Sequence, residues 1–269
     1  MTQTVAIAGL GAIGLTVARA LDAGRIPGLV LSAVAARDAA KARAKLAGFQ
    51  VQPEIVPADQ LAAHADIVVE CAPASVFRDI AEAAIKRSRI FMPLSVGQML
   101  NNMDLVELAR QHRARIVVPS GALLGLDAVR AAAEGQVSSV KIVTRKPPAG
   151  LKGAPWLVEN AISVDGLTAP LCVFAGSART AIKGFPANVN VAVALSLAGI
   201  GPDATQVEIW ADPDAKRNTH TIEVTSDSSD FTMTIAGRPS EDNPATGKIT
   251  ALSVIAALRR LTAPLVIGT

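Results

Sequence analysis

Through residues 1–120, short apolar runs alternate with stretches in which apolar side chains recur every three or four positions. Residues 4–8 form the first run, and Ile13, Val17 and Leu21 follow at helical spacing. The same reading predicts a strand over 27–36 through Leu29, Val30, Leu31 and Val34, and helical segments over 39–47 and 58–63. Strands at 67–71, 90–96 and 116–118 then alternate with helices at 76–87 and 103–111. Unbroken apolar strands separated by helices are the pattern of a parallel sheet covered on both faces.

From about residue 137 the period changes to two. Val140, Ile142 and Thr144 alternate with Lys141 and Val143, and 206–210, 219–225 and 231–235 read as further alternating strands. Residues 160–169 are turn-rich, 186–198 are predicted helical, and 250–261 form an amphipathic helix presenting Leu252, Ile255, Ala256 and Leu258. A mixed or antiparallel sheet is expected here.

The first strand breaks into Gly9-Leu-Gly-Ala-Ile-Gly14 as it enters a helix. Gly9 permits a tight turn, Gly11 lets the backbone approach a pyrophosphate, and Gly14 lets the helix pack closely on the strand; Ala12 and Ile13 complete the turn. The phosphates would sit at a helix N-terminus, where unpaired N–H groups favour an anion. The fold class expected is therefore α/β: an N-terminal Rossmann-type doubly wound parallel sheet and a second α+β domain. Residues 1–120 would form the dinucleotide-binding domain and 121–245 the substrate and oligomerisation domain. A C-terminal helix in 246–269 would pack back on the first.

Ligands of such sheets bind beyond the carboxyl ends of the strands. Cys71-Ala72-Pro73 ends one strand there, and Ser95 and Ala122 follow two others, where they could line the nicotinamide half of the site. The second strand ends in Arg37-Asp38; a Rossmann site that selects NAD places an acid at the ribose hydroxyl and an Arg accommodates a 2′-phosphate, so NAD and NADP both remain open, with Arg37 stacking on adenine, pairing with the phosphate or simply solvated in the turn.

Composition narrows the classes. No apolar run approaches the length of a membrane span, and the N-terminal apolar run is committed to the glycine turn rather than to a signal peptide. Net charge is +3 with scattered Lys and Arg, which disfavours nucleic-acid binding. Cys71 and Cys172 are too few for a disulfide framework or a cysteine-built metal site; each reads as a buried small side chain, and a reducing cytoplasm fits. No metal is expected.

Proton transfer at neutral pH most often uses histidine, and the chain has three. His64 and His112 fall near predicted helix C-termini, where the dipole accounts for them. His220 shares a strand face with Ile222 and Val224 and reads either as a satisfied sheet residue or as an acid–base group. Arg145 and Lys146 at a strand end, and Asn188 and Asn190 at a helix start, could meet an anionic substrate; the asparagines could equally cap the helix.

The motifs Gly9-Leu-Gly-Ala-Ile-Gly14, Pro119-Ser-Gly-Ala122, Thr144-Arg-Lys-Pro-Pro148, Phe185-Pro-Ala-Asn-Val-Asn190, Ala211-Asp-Pro213, Asn218-Thr-His220 and Asn243-Pro244 occur in an order that resembles the L-aspartate dehydrogenase family over almost the whole chain. The resemblance implies NAD- or NADP-dependent oxidative deamination of L-aspartate to iminoaspartate, which hydrolyses to oxaloacetate and ammonia or passes to quinolinate synthesis. It implies His220 as the catalytic histidine and Asn190 as a cofactor-binding asparagine. Arg145, Lys146, Asn188 and Thr246 would bind substrate, in a soluble homo-oligomer, a dimer. Residues 243–247 depart from the family pattern, with Thr246 and Lys248 offering a hydroxyl and an ammonium in place of the usual lysine and serine. Two alternatives stay open: a reductase of the dihydrodipicolinate type acting on another acidic substrate, and a non-catalytic dinucleotide-binding protein.

Overall fold

The computed structural model describes residues 2–186, 189–240 and 247–268. They form two compact units, Met1–Gly121 with Thr250–Val266, and Ala122–Ile249 with Ile267–Thr269.

In the first unit, six described strands lie in the order β3-β2-β1-β4-β5-β6, every pairing parallel: β1 (Gln3–Ala8), β2 (Leu29–Ala35), β3 (Glu54–Ile55), β4 (Ile67–Glu70), β5 (Ile90–Pro93) and β6 (Arg115–Ile116). This is the doubly wound Rossmann order, in which β1 and β4 flank the point where the chain reverses its direction of travel across the sheet. Helices α1 (Ala12–Asp22), α2 (Ala39–Leu46), α3 (Phe77–Lys86) and α4 (Asp104–Gln111) join the strands. The central strands are buried throughout, as Val5, Ile7, Ile67 and Val69 show, which is why they read as continuous apolar runs.

Helix α9 (Lys248–Thr262) adds Val254, Ile255 and Leu258 to this core, beside Val17, Leu21 and Leu29. Its buried stripe differs from the expected one: Leu252 is 50% exposed, while Ala251, Ser253 and Val254 face inward. The stripe is rotated because helix packing, rather than the position of the largest side chains, selects the inward face. The strand expected to run to residue 96 stops at Pro93, and residues 96–101 turn into a 3-10 helix instead.

The second unit holds a five-stranded mixed sheet, in the order β11-β10-β7-β9-β8. Its members are β7 (Val137–Lys146), β8 (Leu171–Ser177), β9 (Gln206–Ala211), β10 (Thr219–Ser226) and β11 (Asp230–Ala236), with β7 and β9 parallel and the other pairs antiparallel. Val140, Ile142, Val207, Ile209, Ile222 and Val224 form its buried face. Helices α5 (Leu126–Ala132), α6 (Pro155–Glu159), α7 (Ala178–Gly184) and α8 (Asn190–Ala198) complete the unit. Strand β8 and helices α5, α6 and α7 were not legible from the pattern. Each is short, and the helices rely on tertiary packing such as the edge-on contacts of Phe174 with Trp156 and Phe185. Cys172 corrects an expectation: it is exposed, paired in register with Trp210 on the other side of the sheet from the core.

Candidate active site

In the first unit, the glycine turn sits at the carboxyl end of β1. Gly9 has φ +96°, and a Cβ there would stand 2.5 Å from the Cys71 carbonyl oxygen, so both conformation and the close approach of β4 demand glycine. The Gly9 N–H donates to the Ala35 carbonyl at 2.7 Å, and the Cys71 N–H donates to that of Ala8 at 2.8 Å. At Gly14, a Cβ would collide with the Gly9 carbonyl oxygen. Gly11 has neither constraint: its φ is −74°, it is exposed, and an added Cβ would meet nothing within 4 Å. It is the N-cap of α1 and supplies no side-chain hydrogen bond to the first-turn amides. A glycine turn at a helix N-terminus fits the pyrophosphate of NAD(P), and Ala12 and Ile13 could contribute backbone N–H groups.

The rim beyond the neighbouring strands is organised by Glu70, which sequence reasoning passed over. Its carboxylate is fully buried and accepts hydrogen bonds from the Ala72 N–H at 2.8 Å, the Ser95 N–H at 3.0 Å and the Ser95 hydroxyl at 3.0 Å. Burial pushes its pKa up, and these bonds oppose the shift. The carboxylate thereby ties Cys71, Ala72 and Pro73 to the loop carrying Ser95. The signal was present in the sequence: an acid closing the otherwise apolar strand Ile67-Val-Val-Glu70.

At the end of β2, the Asp38 carboxylate accepts the Lys41 N–H at 3.0 Å and caps α2. Arg37 beside it is exposed. On α2, the Lys45 ammonium donates to the Leu10 carbonyl at 2.7 Å, bracing the glycine turn.

In the second unit, the register of β7 against β10 places Thr144 opposite His220. Lys146 lies two residues beyond Thr144, on the same face. All three are buried, at 4%, 5% and 7% exposure for Thr144, His220 and Lys146. The Thr144 Oγ1 and His220 Nδ1 are 2.9 Å apart. Burial, with the Lys146 charge adding to it, pushes the His220 pKa down to about 4, and burial pushes that of Lys146 down to about 8. At neutral pH the ring is uncharged, and most of the Lys146 ammonium keeps its proton.

Arg145 is not brought to this group. Successive side chains of a strand point to opposite faces, so Arg145 stacks 4.8 Å over Trp210 and approaches Asp212 at 3.5 Å. Ala122 is half-buried ahead of α5, and Asn190 is the first residue of α8. Asn188, Asn243 and Thr246 lie outside the described residues. The other histidines end short helices, and His64 faces Glu54 at 3.4 Å.

The family model described as aspartate dehydrogenase, C-terminal, matches residues 127–261, the stretch that carries Thr144, Lys146 and His220. The chain belongs to the L-aspartate dehydrogenase family. A second model, the NAD-binding domain of homoserine dehydrogenase, matches residues 9–119. L-aspartate dehydrogenase of Bradyrhizobium diazoefficiens is 60% identical over 98% of this chain and 94% of its own. L-aspartate dehydrogenase 3 of Bordetella bronchiseptica is 54% identical over 98% and 97%. Among solved structures, aspartate dehydrogenase of Thermotoga maritima superposes with a TM-score of 0.75 over the whole of both chains at 24% identity, which supports the fold. No described helix of this aspartate dehydrogenase family member is long and apolar enough to cross a membrane.

Proposed function

We propose that the chain is an NAD(P)-dependent L-aspartate dehydrogenase that oxidises the amine of L-aspartate to iminoaspartate, which hydrolyses to oxaloacetate and ammonia. The observation that carries the reading is the buried Thr144, Lys146 and His220 group on one sheet face, in the stretch matched by the family's C-terminal model. NAD(P), when bound, supplies the hydride acceptor. Gly9, Gly11, Ala12, Ile13 and Gly14 would hold its pyrophosphate, Cys71, Ala72, Pro73 and Ser95 would border it, and Ala122 and Asn190 are assigned to the cofactor from the sequence alone. Arg37 would stack on the adenine or pair with the 2′-phosphate.

Lys146 pairs with a substrate carboxylate. Ion pairing at a buried site favours the charged form, so substrate raises the proton affinity of Lys146 above its free value. The same pairing relieves His220, because part of the depression of its pKa comes from the Lys146 charge. Arrival of the anionic substrate therefore makes the imidazole a stronger base, and His220 takes the proton released by the amine or by the water that attacks the imine. Asn188 and Thr246 are assigned to the substrate on the family resemblance alone, and Arg145, on the opposite face, is not.

The other face of the five-stranded sheet presents Val143, Trp210 and Cys172, half-buried or exposed. A second copy of the chain covering it would form the homodimer, and light scattering giving the mass of one chain would refute that assembly. Two unpaired cysteines suit a reducing cytoplasm.

The deciding experiment follows NAD(P)H formation across a panel of amino acids. L-aspartate should be the preferred substrate. Faster turnover of another substrate would move the chain to a different specificity, and NAD(P)H binding without amine-dependent reduction of NAD(P)+ would leave only a nucleotide-binding protein.

A further inference from the structure

His220 has two ring nitrogens, and the sheet dictates which of them is available. Its Nδ1 lies 2.9 Å from the Thr144 hydroxyl, and the two residues are direct partners in the antiparallel ladder of β10 and β7. Side chains facing each other in such a ladder stay within about 5.5 Å at Cβ. Both are buried, so water does not compete for the bond. We propose that Thr144 is a positioning residue: its hydroxyl oxygen accepts the Nδ1–H of neutral His220 and keeps the proton-accepting lone pair on Nε2. The proposal deepens the reading of His220 as the acid–base group and rests on it.

The chemistry of threonine suits this task. Its β-branch restricts χ1 in a strand, so Oγ1 is held in place by the backbone. A hydroxyl oxygen has two lone pairs and a proton that can rotate away. It can therefore accept Nδ1–H in the neutral ring and again in the imidazolium, and the proton arriving at Nε2 requires no exchange of partners. A carboxylate in the same place would also orient the ring, but its charge would hold the imidazolium permanently. Removing the hydroxyl leaves a buried Nδ1–H without an acceptor. The ring relieves that by moving its proton to Nε2, and it then presents a donor where the reaction needs a base.

The test compares wild type, Thr144→Val and Thr144→Ser by 15N spectroscopy of the histidine rings and by steady-state kinetics. Three histidines keep the spectrum simple, and His220→Asn assigns the signal. Wild type should show His220 protonated at Nδ1. Thr144→Val should shift the population toward Nε2–H and lower kcat for L-aspartate about tenfold, the ratio commanded by one ordinary hydrogen bond. KM and the Kd for NAD(P)H should stay near wild type. Thr144→Ser should restore both tautomer and kcat. An Nε2–H ring in wild type overturns the proposal without any variant, as does an unchanged tautomer in Thr144→Val. Near-wild-type turnover in His220→Asn would instead overturn the acid–base role of His220, and the tautomer data would still report whether Thr144 sets the ring.

Discussion

Replacing His220 by Asn separates two consequences of one buried ring. The ring is 5% exposed, and burial, with Lys146 second, lowers its pKa from 6.5 to about 4. An unfolded chain takes up a proton at this site near pH 6.5, whereas the folded chain resists until about pH 4. Between those values the unfolded state binds more protons, so the site's contribution to stability is present above pH 6.5 and is lost as pH falls through 4. A difference of about 2.5 pH units, at about 1.4 kcal/mol each, makes the total about 3 kcal/mol in order of magnitude. His220→Asn has no such group. Carboxylates titrate in the same range in both proteins, so the informative quantity is wild type minus variant, and this difference should shrink by about 3 kcal/mol between pH 7 and pH 4. Urea unfolding read by tryptophan fluorescence suits the measurement, because Trp156 and Trp210 both belong to the unit that contains His220. Catalytically, the variant should lose about 10²–10⁴-fold in turnover with L-aspartate, while its affinity for NAD(P)H is kept. Stability curves that run parallel across this pH range would refute the burial argument, and a variant with near-wild-type turnover would return His220 to a structural role.

Gly11→Asp should fold normally, since an added Cβ meets nothing within 4 Å and φ is ordinary, yet its carboxylate would crowd and repel the pyrophosphate; fluorescence titration should show NAD(P)H binding severely weakened, and unchanged affinity would make the opening turn only a turn. Lys146→Met should raise KM for L-aspartate by about 10- to 150-fold, the equivalent of one charge-assisted hydrogen bond of about 1.5–3 kcal/mol. Because the Lys146 pKa is lowered to about 8 from 10.5 by burial, the folded state binds fewer protons than the unfolded state between those values, so wild-type stability relative to this variant should rise from pH 8 to pH 10.5; a Tm difference that stays constant over that range would contradict this. Arg37→Ala should raise Kd for NADP more than for NAD, by about 1.5–3 kcal/mol, and equal changes for the two cofactors in paired titrations would remove Arg37 from the 2′-phosphate.

The nucleotide-binding half was legible in the sequence because its determinants are local. The spacing of Gly9, Gly11 and Gly14 lies within one strand-turn-helix passage, although the contact that excludes a side chain at Gly9 comes from Cys71, and the apolar runs of β1, β2 and β4 declare burial on both faces without reference to distant residues. The alternation of Lys141, Val143 and Arg145 with Ile142, Thr144 and Lys146 likewise contained the division of β7 into two faces. That period alone separates Arg145 from Lys146. Which face is buried, and what it meets, was decided only in the folded sheet. Thr144 and His220 are 76 residues apart in sequence, and the antiparallel register of β7 and β10 alone makes them partners. A slip of one residue would send His220 to the exposed face. Burial of that same face turns the three side chains into a low-pKa lysine beside a neutral histidine, because desolvation depends on what covers a residue and not on its neighbours in the chain. The Glu70 clamp, the rotated face of α9 and the exposure of Cys172 have the same origin: each depends on contacts between segments far apart in sequence, which a local pattern does not encode.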